Sequence, residues 1–174
     1  GGGDAVNWSD GNNWDNNAVP LFSENVTIGG GFVITVDGAF SCNDLSLANS
    51  TLQVSAANAL TINGTLTIND AGGGDAILDA AAGTVSVSGA VLLGTTGRNS
   101  VQVSTGTVSF ALPISLLDDN SQDITFNGTG VINFNGGLTD NGAGILTTIA
   151  GCTANFGGPY TNLNNTMTWN ISSN

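Results

Sequence analysis

Short runs of alternating apolar and small polar residues recur along most of the chain. Alternation with a period of two places the aliphatic side chains on one face of a β-strand and Ser, Thr or Asn on the other. Asn-Gly, Asp-Gly and Gly-Gly pairs lie between the runs and tolerate the positive φ of tight corners. The runs cover residues 33–36, 45–47, 51–54, 60–62, 66–68, 85–87, 101–103, 108–110, 124–126, 131–134 and 167–171.

The spacing of these runs predicts how the strands are arranged. One series of apolar residues recurs every 21 to 23 residues, which leaves room for three short strands per repeat. Repeats of this length are typical of a parallel β-helix (β-solenoid), in which each coil buries its apolar face against its neighbours. We therefore expect an all-β fold of about six to seven three-strand coils. The series is Leu45, Leu66, Val87, Phe110, Ile132 and Ala154.

An antiparallel β-sandwich is the alternative fold. Sandwiches also show short strands every 8–12 residues. Asn-Gly pairs such as Asn63-Gly64, Asn127-Gly128 and Asn135-Gly136 are strong hairpin signals and favour the sandwich locally. The even spacing and the low charge of the polar face favour the solenoid, and the sequence leaves both folds open.

The first 25 residues differ from the rest, because they are polar and aromatic without alternation. The open end of a solenoid exposes its core and unpaired strand edges. We therefore predict that residues 1–25 form a cap or linker, with Trp8 and Trp14 over the open end, and that residues 26–174 form the solenoid domain. The alternative is a platform of exposed aromatic rings that stack on carbohydrate.

Composition narrows the functions. Gly, Asn, Thr and Ser supply 84 of the 174 residues, whereas the chain has 13 acidic residues, one arginine, no lysine and no histidine. A net charge of −12 argues against nucleic acid and anionic membrane surfaces as partners. No apolar run is long enough for a membrane helix, so we expect no membrane insertion. Without histidine no Ser-His-Asp triad can form, and the one arginine and one tyrosine, Arg98 and Tyr160, lie far apart for a lyase.

Two features suggest more specific chemistry. The cluster Asp118, Asp119, Asn120 and Asp123 offers a partial set of oxygen ligands for calcium, against the simpler interpretation of a solvated acidic turn. A looser set is Asp70, Asp75 and Asp79. No other cofactor is expected.

Two cysteines lie near opposite ends of the predicted solenoid. Cys42 and Cys152 would be about five coils apart, roughly 24 Å at the strand spacing of a sheet, whereas a disulfide needs Cα atoms within about 7 Å. Three arrangements remain: two free thiols, a bond from Cys152 of one subunit to Cys42 of the next, or an internal bridge in a sandwich.

Several motifs in residues 4–70 resemble a known group of proteins. They are NWSD at 7–10, NW at 13–14, VP at 19–20, ENVTI at 24–28, ITVDG at 34–38, SCNDLSL at 41–47 and NGTLTI at 63–68. This pattern is similar to that of repetitive β-solenoid surface and adhesin proteins of the Bacteroidota, many of them exported by the type 9 route. The resemblance implies a secreted, cell-surface protein with a structural or adhesive role, and it brings no catalytic residues.

These observations lead to one functional hypothesis and one alternative. The hypothesis is a non-enzymatic subunit of an extracellular filament or adhesin, in which identical copies join head-to-tail through the solenoid ends. The closing strand would either complete its own last coil or add to the open edge of the next subunit. The alternative is a carbohydrate-binding adhesin module with a glycan as its partner. The expected assembly residues are Trp8, Trp14, Cys42, Cys152, Met167, Trp169 and Ile171.

Overall fold

A computed structural model of the chain describes residues 3–69, 74–93, 98–116, 123–140, 146–162 and 168–170. Its regular elements are β-strands and one short 3₁₀ turn, Gly11–Asn13. No helix of these residues is long and apolar enough to cross a membrane. The predicted all-β class is confirmed.

The strands wind around a common axis and form three faces. The first face has β1 (Val26–Gly29), β4 (Leu45–Ala48), β7 (Leu66–Ile68), β10 (Val91–Leu93), β13 (Ile114–Leu116), β16 (Leu138–Asp140) and β19 (Tyr160–Asn162). The second has β2 (Val33–Val36), β5 (Thr51–Val54), β8 (Ala76–Asp79), β11 (Arg98–Val103), β14 (Asp123–Gly128), β17 (Leu146–Ala150) and β20 (Thr168–Asn170). The third has β3 (Ala39–Cys42), β6 (Ala59–Ile62), β9 (Thr84–Val87), β12 (Thr107–Phe110), β15 (Val131–Phe134) and β18 (Thr153–Phe156).

The pairing of these strands decides between the two predicted folds. Strands pair in parallel with the strand three places on, as in β1 with β4 and β2 with β5, except that the first face is divided into two sheets between β10 and β13. A parallel ladder of this kind is a β-solenoid and excludes the antiparallel sandwich. Six coils carry all three strands, and β19 and β20 belong to a seventh. The hairpin interpretation of the Asn-Gly pairs is therefore wrong: Asn63-Gly64 and Asn135-Gly136 lie at corners between faces.

The predicted 22-residue series is right on average but mixes two faces. Leu45 pairs with Leu66 on the first face, whereas Val87 pairs with Phe110 on the third. The true step between paired residues varies, from Val33 with Thr51 to Thr51 with Ile77. The corners between strands differ in length and account for this variation. The strands themselves keep a constant register, because they must pair from coil to coil.

Glycine at the corners lets successive coils approach closely. Gly83, Gly106 and Gly130 each precede a strand of the third face. The Gly106 carbonyl accepts a hydrogen bond of 2.9 Å from the Val131 N–H. A Cβ atom at Gly106 would meet the backbone oxygen of Ala80 in the coil below. Close stacking at such corners accounts for part of the high glycine content.

Inside the coils, aliphatic and aromatic residues form one continuous core. Outside, amide side chains bond from coil to coil. The Asn133 Nδ2 donates to Ser109 Oγ at 2.9 Å, and the Asn155 Nδ2 donates to Asn133 Oδ1 at 2.9 Å. Hydrogen bonds between uncharged side chains therefore join successive coils, which explains why the stack needs few charged residues.

Candidate functional site

The N-terminal end of the solenoid is covered by an aromatic cap, as predicted. Trp8 is 0 % exposed, and its ring lies 4.9 Å from Trp14 edge-on and 6.1 Å from Phe40 in a stacked arrangement. The Trp14 indole N–H donates to the Trp8 carbonyl at 2.9 Å. Trp8 therefore serves as core, and its ring is unavailable for stacking on a sugar.

A backbone bridge fixes the cap to the second face. Asn7 pairs in parallel with Thr35 of β2, the Trp8 N–H donates to the Thr35 carbonyl at 2.8 Å, and the Thr35 N–H donates to the Val6 carbonyl at 2.7 Å. The segment 6–8 thus occupies the position of one further strand below β2. The Ser9 N–H and Oγ add bonds of 3.0 and 2.5 Å to the carboxylate of Asp37.

Carboxylates hold the remainder of the cap together. The backbone N–H of Asn7, the side chain of Asn13 and the backbone N–H of Val6 donate to Asp4, and together they hold the pKa of Asp4 well below its usual range. The backbone N–H of Asp4 and that of Asn12 lower the pKa of Asp10 in the same way. Both side chains are therefore ionised acceptors at neutral pH.

A groove of about 970 Å³ lies beside this cap, along β1. Its wall contains Trp14 and Asp15 from the cap, Glu24 before β1, and Phe32 before β2; its floor is β1 itself. The groove occupies, on the first face, the level that residues 6–8 occupy on the second. On this side β1 has no paired strand among the described residues.

The edge of β1 that faces the groove carries hydrogen-bonding groups. The Val26 N–H donates to the Asp44 carbonyl at 2.8 Å, so Val26 and Ile28 direct their backbone groups toward β4. Thr27 and Gly29 alternate with them and direct theirs into the groove. β1 is also the first strand in the order of its sheet. An unprotected edge of this kind is a template for another strand.

Exposed apolar side chains cluster near the same end. Among the large hydrophobic residues of the described chain that are exposed, five lie within the first 33 residues, against three in all that follows. Phe22 and Phe32 are 68 and 53 % exposed. Exposed apolar side chains concentrated at one end of a molecule are a feature of interaction sites. The five are Val6, Leu21, Phe22, Phe32 and Val33.

The C-terminal end is less well covered. Phe110, Phe134 and Phe156 stack in one column, with ring centroids 5.8 and 5.0 Å apart. Phe134 is 0 % exposed, whereas Phe156 is half-buried, as is Ala154 on the same strand. Tyr160 of β19 is 36 % exposed and packs edge-on against Phe156 at 6.0 Å. β18 and β19 are each the last strand of their sheet among the described residues.

Both cysteines are free thiols inside the stack. Cys42 on β3 is fully buried, and burial raises its pKa to about 12. Cys152 is half-buried in the corner before β18, and burial raises its pKa as well. A thiol that stays protonated is a poor nucleophile for disulfide exchange. The internal bridge expected for a sandwich is therefore excluded with that fold, and the buried Cys42 argues against a bond between subunits.

The other predicted residues are not brought together by the described structure. Asp118, Asp119, Asn120, Asp70, Met167 and Ile171 lie outside the described residues. Only the backbone is described for Asp123, which begins β14, and for Trp169, which lies in β20. Arg98 begins β11 on the second face, whereas Tyr160 lies on the first face three coils later. Within the described part of the chain, no cluster of three or more potential metal ligands occurs.

Asp79, from the looser calcium set, has a different role. Its side chain is 5 % exposed, and burial raises its pKa. The hydroxyl of Ser104, in the next coil, donates to it at 3.5 Å. Asp79 is therefore a buried acceptor between coils and is unavailable as a surface ligand.

Comparisons with protein families, curated proteins and solved structures found no match to this chain. The site must therefore be judged from its geometry. The sequence pattern predicts the places of Trp8 and Trp14 but not the edge of β1, the groove or Phe32. A signal was present, because the first strand of any solenoid lacks a predecessor. The non-alternating apolar residues Leu21 and Phe22 just before it were a second signal.

Proposed function

We propose that this protein is a non-enzymatic structural subunit of an extracellular filament or adhesin, in which identical copies stack head-to-tail through the solenoid ends. One observation carries the proposal. The N-terminal end offers an open parallel edge at β1, beside exposed apolar side chains, and β18 and β19 are the last strands of their sheets among the described residues.

The geometry of a solenoid favours this kind of joint. All strands of one face run in the same direction, so a second copy placed on the axis continues the ladder without reversal. A heterologous contact of this kind propagates into a fibre unless rotation closes it. Secretion and surface location are part of the proposal and are supported by the sequence resemblance.

Electron microscopy of the purified protein tests the proposal. We expect rods one solenoid wide whose length grows with protein concentration, and no change on adding reductant, because Cys42 is buried. Discrete particles of one subunit at every concentration would contradict stacking. A ladder on non-reducing electrophoresis that collapses with reductant would show that a disulfide makes the joint.

A second candidate function is glycan binding in the groove beside β1. The ring of Trp14 is half-buried there, near Asp15 and Glu24, and an aromatic ring beside carboxylates is a common sugar-binding arrangement. The three aromatic residues predicted for a platform do not meet, since Tyr160 lies in the last coil and Trp8 is buried. Binding on a glycan array that is lost in Asp15→Ala and Phe32→Ser would favour this candidate over stacking.

A further inference from the structure

Asn-Gly pairs have a chemistry of their own, besides their use at corners. The backbone nitrogen of the glycine attacks the side-chain amide carbon of the asparagine, because glycine has no Cβ to hinder the approach. We propose that Asn135 is a site of spontaneous self-modification, at which the folded chain converts asparagine to aspartate and isoaspartate. The pairs among the described residues are Asn63-Gly64, Asn127-Gly128 and Asn135-Gly136; a fourth pair, Asn141-Gly142, lies outside them.

The reaction consumes water and releases ammonia. A bond forms between the backbone nitrogen of Gly136 and Cγ of Asn135, and the bond from Cγ to Nδ2 breaks. The side-chain nitrogen leaves as ammonia and takes the proton of the Gly136 N–H, so that a cyclic succinimide remains. Water then opens the ring at one of its two carbonyls. One opening gives aspartate, and the other gives isoaspartate, in which the main chain runs through the former side chain.

No hydrogen bond from a described residue holds the peptide between Asn135 and Gly136. Asn135 lies in the corner between β15 and β16, and its side chain is exposed. The bonds of this corner lie on either side of that peptide: the Asn135 N–H donates to the Phe110 carbonyl at 3.0 Å, and the Gly137 N–H donates to the Phe134 carbonyl at 3.1 Å. Within the described part of the chain, the Asn135 carbonyl, the Asn135 side chain and the Gly136 N–H form no hydrogen bond. The reacting groups therefore meet without loss of a hydrogen bond.

Asn63-Gly64 occupies a similar corner, between β6 and β7, but both of its reacting groups are held. The Asn63 Nδ2 donates to the Cys42 carbonyl at 3.1 Å, and the Gly64 N–H donates to the Asn43 carbonyl at 2.8 Å. One bond fixes the leaving group and the other fixes the attacking nitrogen, so ring closure requires both to break. Asn63 and Asn135 are both exposed. Hydrogen bonding, and not exposure, therefore distinguishes the two corners.

Asn127-Gly128 is held by a strand instead of a corner. Asn127 pairs with Gln102 of β11 on one side and with Ala150 of β17 on the other. Rotation of the following peptide toward the side chain would break this ladder. We therefore expect Asn127, like Asn63, to stay unmodified in the folded chain.

The two products of Asn135 differ in their effect on the stack. Aspartate adds one negative charge at an exposed corner and leaves the main chain unchanged. Isoaspartate adds the same charge and also lengthens the main chain by a methylene between the fully buried Phe134 and Gly137. The Gly137 carbonyl accepts from the Ile114 N–H at 3.1 Å, next to the pairing of β13 with β16. Isoaspartate should therefore disturb this pairing, whereas aspartate should not.

Peptide mapping of the intact folded protein tests the proposal site by site. The protein is kept in neutral buffer, and the aspartate and isoaspartate formed at each pair are followed by mass spectrometry. We expect Asn135 to convert about tenfold faster than Asn63, or more, as for the release of one or two hydrogen bonds. Separate peptides keep any conversion at Asn141 out of the comparison. The reaction takes place within one subunit, so its result does not depend on whether copies stack.

The same measurement on the chain unfolded in urea is the matched control. Unfolding removes the hydrogen bonds, and the pairs then share one chemistry, so we expect nearly equal rates at Asn63, Asn127 and Asn135. Equal rates at Asn63 and Asn135 in the folded protein would overturn the proposal. So would an Asn135 that reacts in urea but stays unchanged in the folded protein, because close stacking of the corner would then protect it.

A comparison of melting temperatures tests the effect of the products. In an Asn141→Gln background, ion exchange isolates the more acidic form that appears with time, and an isoaspartyl methyltransferase measures its isoaspartate. We expect this form to melt below the Asn135→Asp variant, which has the charge with an unchanged main chain, by an amount that grows with its isoaspartate content. Asn135→Gln should yield no such form, because its longer side chain closes a ring far more slowly. An acidic form from Asn135→Gln in equal amount would place the reaction elsewhere.

Discussion

At the N-terminal end of the solenoid Trp8 is completely covered, whereas in the last complete coil Phe156 and Ala154 stay half-exposed. The first end carries a dedicated segment that is bonded to β2 and stabilised by carboxylates. At the other end the described structure shows strands that simply stop. The N-terminal end is therefore covered on one face only. The cap pairs with β2 on the second face, whereas β1 on the first face has no paired strand on its outer side among the described residues.

The largest expected effect is at the covered end. Trp8→Ala removes a fully buried ring from a site bounded by Trp14 and Phe40, so we expect it to lower the free energy of unfolding by about 3–5 kcal/mol. Urea denaturation followed by far-UV circular dichroism measures this. Leu92→Ala, at an exposed position on β10, is the control and should change stability by less than about 1 kcal/mol. If the cap contributes nothing to folding, Trp8→Ala and Leu92→Ala will have similar free energies of unfolding.

The column of stacked phenylalanine rings allows the contribution of a fully buried ring to be compared with that of a ring at the C-terminal end. Phe134→Ala removes a fully buried ring and should cost about 3–5 kcal/mol. Phe156→Ala removes the half-buried ring stacked on it and should cost roughly half as much. Equal losses, measured by the same denaturation, would mean that the C-terminal end is as well covered as the middle.

Acid should loosen the covered end. The pKa of Asp4 and that of Asp10 are lowered in the folded chain by backbone and amide donors. Their contribution to stability is complete above the unfolded pKa of about 3.9 and is lost as the pH falls through the lower folded values. Tryptophan fluorescence should therefore stay constant above about pH 5 and change below about pH 4. In Asp4→Asn we expect the change to be already present at pH 7, and an unchanged acid profile in that variant would contradict this role.

The middle of the stack should respond to pH in the opposite sense. Burial raises the pKa of Asp79, so its ionised form destabilises the folded chain as the pH rises above the unfolded pKa. Asp79→Asn keeps an acceptor for Ser104 without the charge. It should raise the melting temperature slightly at pH 7 and leave it unchanged at about pH 3, where both states bind the proton. A destabilised variant at pH 7 would show that the charge itself holds the two coils together.

The sequence predicted the coils better than the ends. Alternation identified strands such as β5 and β15, because every inward position must be apolar when coils stack on both sides. It predicted Trp8 and Trp14 as a cap from their place before the first strand. The 22-residue series placed residues of two different faces in one column. The reason is that the corners vary in length, so a constant spacing in sequence does not follow one face. The groove beside β1 could not be predicted, because it depends on where residues 6–8 dock in three dimensions.

The central claim is that this solenoid joins end to end through its open edges. Cryo-electron microscopy of the wild-type protein at high concentration tests it most directly. The account predicts rods one solenoid wide with a strand spacing of about 4.8 Å along the axis, in which parallel strands of neighbouring copies pair across each joint. Single particles of one subunit, or rods in which the coils of neighbouring copies lie side by side, would contradict it.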